Sequence, residues 1–407
     1  MSGLTFIHTA DLHLDSPFKG MRQLPKEILT RLHNSTFLSF QKIVKLAIKE
    51  RVDFVLISGD LFDEENRNLL TQVKLRQEFQ RLNQHNIQVY IIHGNHDHLG
   101  GKWISVEFPE NVHIFSEKPE MMVYKKQNGV TVHLYGFSYG QRHLIERSAR
   151  HYKKVDGADF HIGLLHGSIE GNTEHSPYSP FTLKELLDIG FDYWALGHIH
   201  KRTELSLFPP IIYPGNIQGR HKKEIGEKGC YLVRLQQKEA SLQFVSTHDI
   251  LWEKKELKFE KIHSFDELLA FCQNERENVR QNNTGVFLEL VIRVEQVNEE
   301  LLFTEEDLLE LLQEDEEGRE DFVWVHSVKL SVLSAEILLE GNQSFYSLIS
   351  SHAENKETVL EALLPLYAHS AARRLLENLS DEELQQITEE AKSLLFALLS
   401  GKGGITS

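Results

Sequence analysis

The sequence predicts a layered α/β protein, with helices outside a central sheet or pair of sheets, followed by a small α+β unit and a helical tail. Three observations carry this expectation. From residue 4 to about 250, short β-branched runs alternate with amphipathic stretches of helix length. Some of the short runs, such as Phe54-Val55-Leu56-Ile57, are apolar without a break, which suits strands buried on both faces. After Trp252 the composition changes, and from about residue 343 onward the chain reads as helical and acidic.

In chain order, strands are predicted at 4–8, 54–58, 89–93, 132–137, 161–165 and 193–196, each rich in β-branched or aromatic residues. Helix-length segments at 28–50 and 68–85 lie between the first three, the alternation expected when helices cover a sheet. Towards residue 250 the pattern becomes short strands with tight turns, at 229–235 and 240–247. Strand, helix, strand, helix, strand then fit 255–259, 265–281, 286–294, 305–313 and 322–333. The clearest tail helix starts at Ser380, whose partner Glu383 three residues on makes a capping box. Its apolar positions Leu384, Ile387, Ala391, Leu394, Leu395 and Leu398 keep helical spacing, and Gly401 sits where a C-cap belongs. There is no internal repeat. The expected division is 1–250, 251–340 and 341–407.

Composition narrows the functions. At 407 residues the chain exceeds one ordinary domain, and 41% apolar with 26% charged residues is a globular balance. No apolar run approaches the roughly 18 residues a membrane span needs, and the start shows no signal-peptide pattern, so a soluble cytoplasmic protein is expected. Two cysteines, Cys230 and Cys272, cannot build a disulfide framework or a cysteine zinc site. The net charge of −16 is unevenly spread: residues 1–250 hold 30 of the 44 Lys and Arg but 28 of the 60 Asp and Glu, with 18 of the 22 His. The first 250 residues are thus near neutral and able to meet a phosphate backbone, whereas the acidic remainder is a poor candidate for that.

Five polar clusters follow predicted strands: Asp11-Leu12-His13, Gly59-Asp60-Leu61-Phe62-Asp63, Gly94-Asn95-His96-Asp97, His166-Gly167 and Gly197-His198-Ile199-His200. In open α/β sheets the carboxyl ends of strands form the ligand crevice, so clusters placed there converge. Imidazole with carboxylate and amide oxygen suits Mn²⁺, Fe²⁺ or Zn²⁺. In an extended Asp-x-His both side chains lie on one side, so Asp11 and His13 can share an ion, and His198 with His200 can serve one ion each. Asp60 is the natural bridge for a metal pair. Each piece alone is common by chance; it is the ordered set that signifies.

That set resembles the calcineurin-like metallophosphoesterase superfamily. The forms Thr9-Ala10-Asp11-Leu12-His13-Leu14-Asp15, Ser58-Gly59-Asp60-Leu61-Phe62-Asp63 and Ala195-Leu196-Gly197-His198-Ile199-His200 resemble its SbcD-like DNA-repair exonuclease branch. The resemblance implies a metallophosphoesterase β-sandwich flanked by helices, with a small α+β capping domain after it. It implies one ion held by Asp11, His13, Asp60 and His200, and a second by Asp60, Asn95, His166 and His198. It gives His96 the role of catalytic acid at the leaving oxygen, with Asp63 orienting it by accepting a ring N–H. The cofactor implied is two divalent metal ions, Mn²⁺ being the expected metal. The partners implied are DNA, an SbcC-like ATPase and a second copy of the chain.

Outside the motifs, His8, His93 and His161 lie within predicted strands and read as packed or hydrogen-bonded histidines. Lys201, Arg202, Arg220, Lys222 and Lys223 form short basic clusters on loops beside the last motif, placed to contact a DNA backbone. Three functions compete: a two-metal DNA exonuclease or endonuclease, a phosphatase or phosphodiesterase for a small nucleotide or phosphoprotein, and a mainly structural subunit that recruits a partner through its tail. The first is the expectation that the resemblance implies; the intact ligand set argues against the third, and the motifs fix the reaction type better than the substrate.

Overall fold

A computed structural model describes residues 3–18, 24–63, 67–171, 178–236, 239–297, 303–332 and 356–368, together with positions 379, 384, 385, 387, 388 and 391. The chain forms two compact units, one of Met1–Lys255, Cys272–Glu289 and Leu309–Ser327, the other of Glu256–Phe271, Leu290–Leu308 and Val328–Ser407.

The first unit opens with β1 (Leu4–Thr9), α1 (Lys26–Glu50), β2 (Phe54–Ser58), α2 (Leu69–Gln84), β3 (Gln88–Ile92) and β4 (Val112–Ile114). It continues through β5 (Glu120–Lys125), β6 (Thr131–Gly136), β7 (Phe160–His166), α3 (Leu183–Ile189), β8 (Tyr193–Gly197), β9 (Thr203–Leu207) and β10 (Pro210–Tyr213), and returns with β11 (Gly229–Gln236) and β12 (Glu239–Ser246). Two six-stranded sheets result, ordered β12-β11-β1-β2-β3-β4 and β5-β6-β7-β8-β10-β9. This is the expected α/β class. The expected strands are present, whereas β4, β5, β9 and β10 and the short α3 were not predicted. Their half-exposed or very short runs lack the unbroken apolar stretch that marks the central strands.

Register explains the unbroken apolar runs. Strands β1, β2 and β3 pair in parallel, with Ile7 beside Val55 and Val55 beside Val89. Alternate side chains then leave the sheet on opposite faces. Ile7, Val55, Ile57, Val89 and Ile91 pack under Phe40, Ile43 and Val44 of α1 and Leu75, Phe79 and Leu82 of α2. Phe6, Phe54, Leu56, Tyr90 and Ile92 form another core with Leu134, Ile162, Leu164, Tyr193 and Ala195 of the second sheet. The outer face of that sheet, including Leu165, Trp194 and Leu196, is covered by Leu186 of α3. Both faces of both central strand sets are buried, so neither can alternate with polar residues.

Helix ends are set locally. The Asn68 side chain accepts N–H groups of Leu70 and Thr71 at the start of α2. Thr182 and Glu185 form a capping box on α3, which stops at Gly190 in the left-handed conformation.

Further along, β13 (Ile250–Ile262), α4 (Phe265–Asn278), β14 (Gly285–Val297), α5 (Glu305–Gln313) and β15 (Val323–Val332) follow the order read from the sequence, and the strands form a sheet ordered β13-β14-β15. Helix α6 (Lys356–Ala368) lies in the acidic tail. Of the helix predicted from Ser380, Leu384, Gln385, Ile387, Thr388 and Ala391 are helical, and its capping pair Ser380 and Glu383 lies outside the described residues. Among the described residues no helix is long and apolar enough to cross a membrane.

The packing between sheets yields a stability prediction. Leu164 is fully buried in the shared core, and Leu164→Ala is expected to cost about 2–5 kcal/mol. Urea unfolding should show a lower midpoint at unchanged slope.

Candidate metal centre

The carboxyl ends of β1, β2, β3, β7 and β8 carry the five polar clusters, as the sequence required. Leaving a strand and turning at once demands unusual backbone. Asp11 (φ 51°), His13 (φ 42°), Asp60 (φ 52°) and His198 (φ 97°) all adopt the left-handed region. Asp and His are among the non-glycine residues that tolerate it best. Two glycines permit the close approach that follows. A Cβ on Gly94 would lie 2.3 Å from Asp60 Oδ1 and 2.6 Å from His166 Nε2, and one on Gly197 would lie 1.9 Å from the Ser58 carbonyl.

The side chains meet in three overlapping groups, one of which joins His13 to Asp63 and His96. Asp11, His13 and His200 bring ligand atoms within 4.8 Å of one another, and so do Asp11, Asp60 and His166. His13 Nε2 stands 3.2 Å from His200 Nε2 and 3.9 Å from Asp60 Oδ2. On the other side, His166 Nε2 is 3.4 Å from Asp60 Oδ2 and 3.0 Å from Asn95 Oδ1. His198 Nδ1 is 3.2 Å from the same amide oxygen. Asp60 thus lies between the two sides, where a bridging ligand belongs. All seven candidate ligands named from the sequence are brought together.

Main-chain donors brace the carboxylates. Asp11 accepts the His198 N–H at 3.0 Å and Asp60 accepts the His96 N–H at 3.0 Å. Each carboxylate is therefore anchored to the turn of a different strand.

Burial and partners set the protonation. Burial works against the charged form of His166, but the Asp60 carboxylate beside it prevails and lifts the ring to about 9. Burial would likewise raise Asp60, and His166 instead holds it well below the usual carboxylate range. Asp11 is raised, chiefly by burial. Burial and then the Arg220 charge pull His13 down to about 3, so its ring is neutral and able to ligate.

The donor set fits a pair of divalent cations. Imidazole, carboxylate and amide oxygens are the ligands of first-row metals. The His13–His200 contact points the same way. The buried Glu224 carboxylate takes the His200 Nδ1–H at 2.7 Å, so His200 Nε2 carries a lone pair towards His13 Nε2. The two Nε2 atoms, 3.2 Å apart, are close enough that both would hold one ion.

His96 sits at the edge of this group, its ring 5.0 Å from that of His13. Its Nδ1 meets the Asp63 main-chain carbonyl at 2.7 Å. The expectation had the Asp63 carboxylate doing this. That carboxylate instead faces Arg220 and lies 3.0 Å from His13 Nδ1, because the turn after Asp60 directs the carbonyl, not the side chain, at His96.

The basic clusters separate. Lys201, Lys222 and Lys223 are exposed. Arg202 lies over the Phe244 ring, 4.1 Å from its centre, and Arg220 turns inward to Asp63. The strand histidines are packed as expected: His8 meets Tyr193 Oη and the Leu196 carbonyl, His93 pairs with Asp97, and His161 meets Tyr135 Oη.

Several supporting residues had no role in the sequence reading. Asp97 accepts the N–H groups of Leu61 and Gly94 and ties two ligand turns together. Asp15 accepts the N–H of Asp63. Glu224 supports His200, and Lys228 donates to the His200 carbonyl at 3.1 Å. Asp15 and Asp97 stand inside the motifs already quoted. Glu224 was signalled only as a lone carboxylate ending a basic run.

Comparison with known proteins agrees with this geometry. The family model described as calcineurin-like phosphoesterase matches residues 4–202. The metallophosphoesterase YhaO of Bacillus subtilis (strain 168) is 42% identical over 400 residues, 97% of this chain and 98% of that protein. Proteins named DNA double-strand break repair protein Mre11 are more distant. That of Methanocaldococcus jannaschii is 29% identical over 268 residues, 61% of this chain and 67% of its own, and that of Saccharolobus solfataricus 26% over 317, 74% and 77%.

The crowding at Gly94 can be tested directly. Gly94→Ala is expected to displace Asp60 and His166 and to lower bound divalent metal severalfold, measured by plasma mass spectrometry, while the circular dichroism spectrum stays native.

Proposed function

The chain belongs to the calcineurin-like phosphoesterase family and is a metal-dependent phosphoesterase, and we propose that it is a DNA nuclease acting in repair. The observation that carries the reading is the convergence of seven candidate ligands beside a histidine whose Nδ1 is already engaged. The names of the Mre11 relatives support the choice of DNA over other phosphate esters.

In this reading one ion is held by Asp11, His13, Asp60 and His200 and the other by Asp60, Asn95, His166 and His198, with Mn²⁺ as the native metal. Such a pair supplies Lewis-acid polarisation of the phosphoryl group and a water acidified to near neutrality. The protein's own part is positioning and proton delivery. The Asp63 carbonyl accepts Nδ1–H of His96 whether the ring is neutral or charged, so proton transfer is left to Nε2. His96 thereby protonates the departing alcohol oxygen as the P–O bond breaks. Asp63 acts on His96 through its main chain, and on His13 through its carboxylate. Exposed Lys201, Lys222 and Lys223 serve the flanking DNA backbone.

The partner in this reading is an SbcC-like ATPase, bound by region 341–407, with the nuclease acting as a dimer. The native protein should co-elute with such an ATPase on size exclusion, and elution alone would remove the partnership from the reading.

Duplex DNA, a cyclic nucleotide and a phosphomonoester, compared side by side, should show DNA cleaved fastest. Cleavage should vanish in EDTA and return best with Mn²⁺. His96→Ala should keep its metal and lose about 10²-fold or more in rate, whereas Asp60→Asn should lose both ions. Faster hydrolysis of the phosphomonoester would overturn the choice of DNA, and full activity in excess EDTA would overturn the metal chemistry.

A further inference from the structure

We propose that the loop carrying Asn216, Arg220 and Glu224 is a positioning device that makes the two cation sites unequal, holding His13 and His200 as the tighter pair of ligands. This rests on the two-metal reading above and adds a physical reason for one ion to be bound harder than the other.

Three donors converge on the buried Glu224 carboxylate. His200 Nδ1 lies 2.7 Å from Oε1, while Asn216 Nδ2 at 2.9 Å and the Arg220 main-chain N at 2.6 Å meet Oε2. A carboxylate only accepts, so in the neutral His200 ring the proton is fixed on Nδ1 and the lone pair on Nε2. Arg220 also braces the carboxylate that stands beside the second ring. Its guanidinium pairs with Asp63, whose Oδ1 stands 3.0 Å from His13 Nδ1. A single residue thus joins both carboxylates, one through its main chain and one through its side chain.

The loop also grips the His200 backbone. The His200 carbonyl accepts from Asn216 N–H at 3.3 Å and from Lys228 Nζ at 3.1 Å. Gly215, at φ 78°, permits this approach, since a Cβ there would lie 2.7 Å from the same carbonyl oxygen. His166, a candidate ligand of the other ion, has a weaker support: its Nδ1 meets the neutral Ser58 carbonyl at 2.9 Å. An anionic acceptor makes an imidazole a stronger ligand than a neutral one does, and such supports are worth about 10- to 100-fold in metal affinity. The ion at Asp11, His13 and His200 is therefore the tighter.

Calorimetric titration of the full, metal-stripped chain with Mn²⁺ tests this. The unmodified protein should show a tight and a weak step. In Glu224→Gln the amide can accept from His200 or from Asn216 and Arg220, but not from all three. The tight step should weaken by about 10- to 100-fold, with the weak step unchanged, and ¹⁵N NMR of the metal-free protein should show His200 losing its single tautomer. Arg220→Met keeps the main-chain N–H and loses only the Asp63 contact, so a smaller loss at the same step is expected. That variant answers the question should Glu224→Gln fail to fold. Titration like the unmodified protein in both variants, or a loss confined to the weak step, overturns the inference while leaving the two-metal reading intact. An unmodified protein that binds fewer than two ions overturns both.

Discussion

Two carboxylates, Asp11 and Asp60, are buried in the same few ångströms, and the rest of the centre answers to that fact. Buried like charges are costly unless each is hydrogen-bonded and matched by positive charge. Each carboxylate takes a main-chain N–H from a foreign turn, and for Asp11 that turn belongs to the other sheet, so strands of both sheets must end side by side. Imidazoles gather around what remains, and without a cation Asp60 raises the His166 ring against the effect of burial. The sandwich beneath them, with cores on both faces of each central strand set, supplies the rigidity that keeps such a cluster from relaxing.

Much of this could be read in advance, for a definite reason. Strands buried on both faces announce themselves as unbroken apolar runs, and a ligand turn must follow its strand directly. Leu56-Ile57-Ser58 before Gly59-Asp60 shows both signals within five residues. Residues that act from another part of the chain give no such signal. Glu224 reaches His200 across 24 positions, with β9 and β10 between them and no strand-end motif of its own. Asp63 lies beside His96, but its carbonyl and carboxylate face different histidines, and only the turn's backbone decides which faces which. Strands such as β4, three residues long, are set by their neighbours rather than by their own pattern.

The centre explains phosphoester chemistry; the substrate is chosen by what surrounds it. The charge distribution sharpens that division. Of the five basic residues expected to meet DNA, Arg220 turns inward to Asp63, while Arg202, lying over the Phe244 ring, and the three lysines stay exposed. An inward arginine serves geometry, and an outward lysine serves attraction.

The left-handed backbone at Asp11, His13, Asp60 and His198 carries a consequence for how the sequence can drift. Each of these positions answers to two independent selections, one for a donor atom and one for a dihedral angle that β-branched residues refuse. Asparagine satisfies the second at all four and partly satisfies the first. Exchange towards Asn is therefore the path of least conformational resistance, and a chain that took it would keep the architecture of its turns after surrendering the charge that makes them useful. A silent descendant of this protein would be recognisable by intact turns around an amide where a carboxylate once stood.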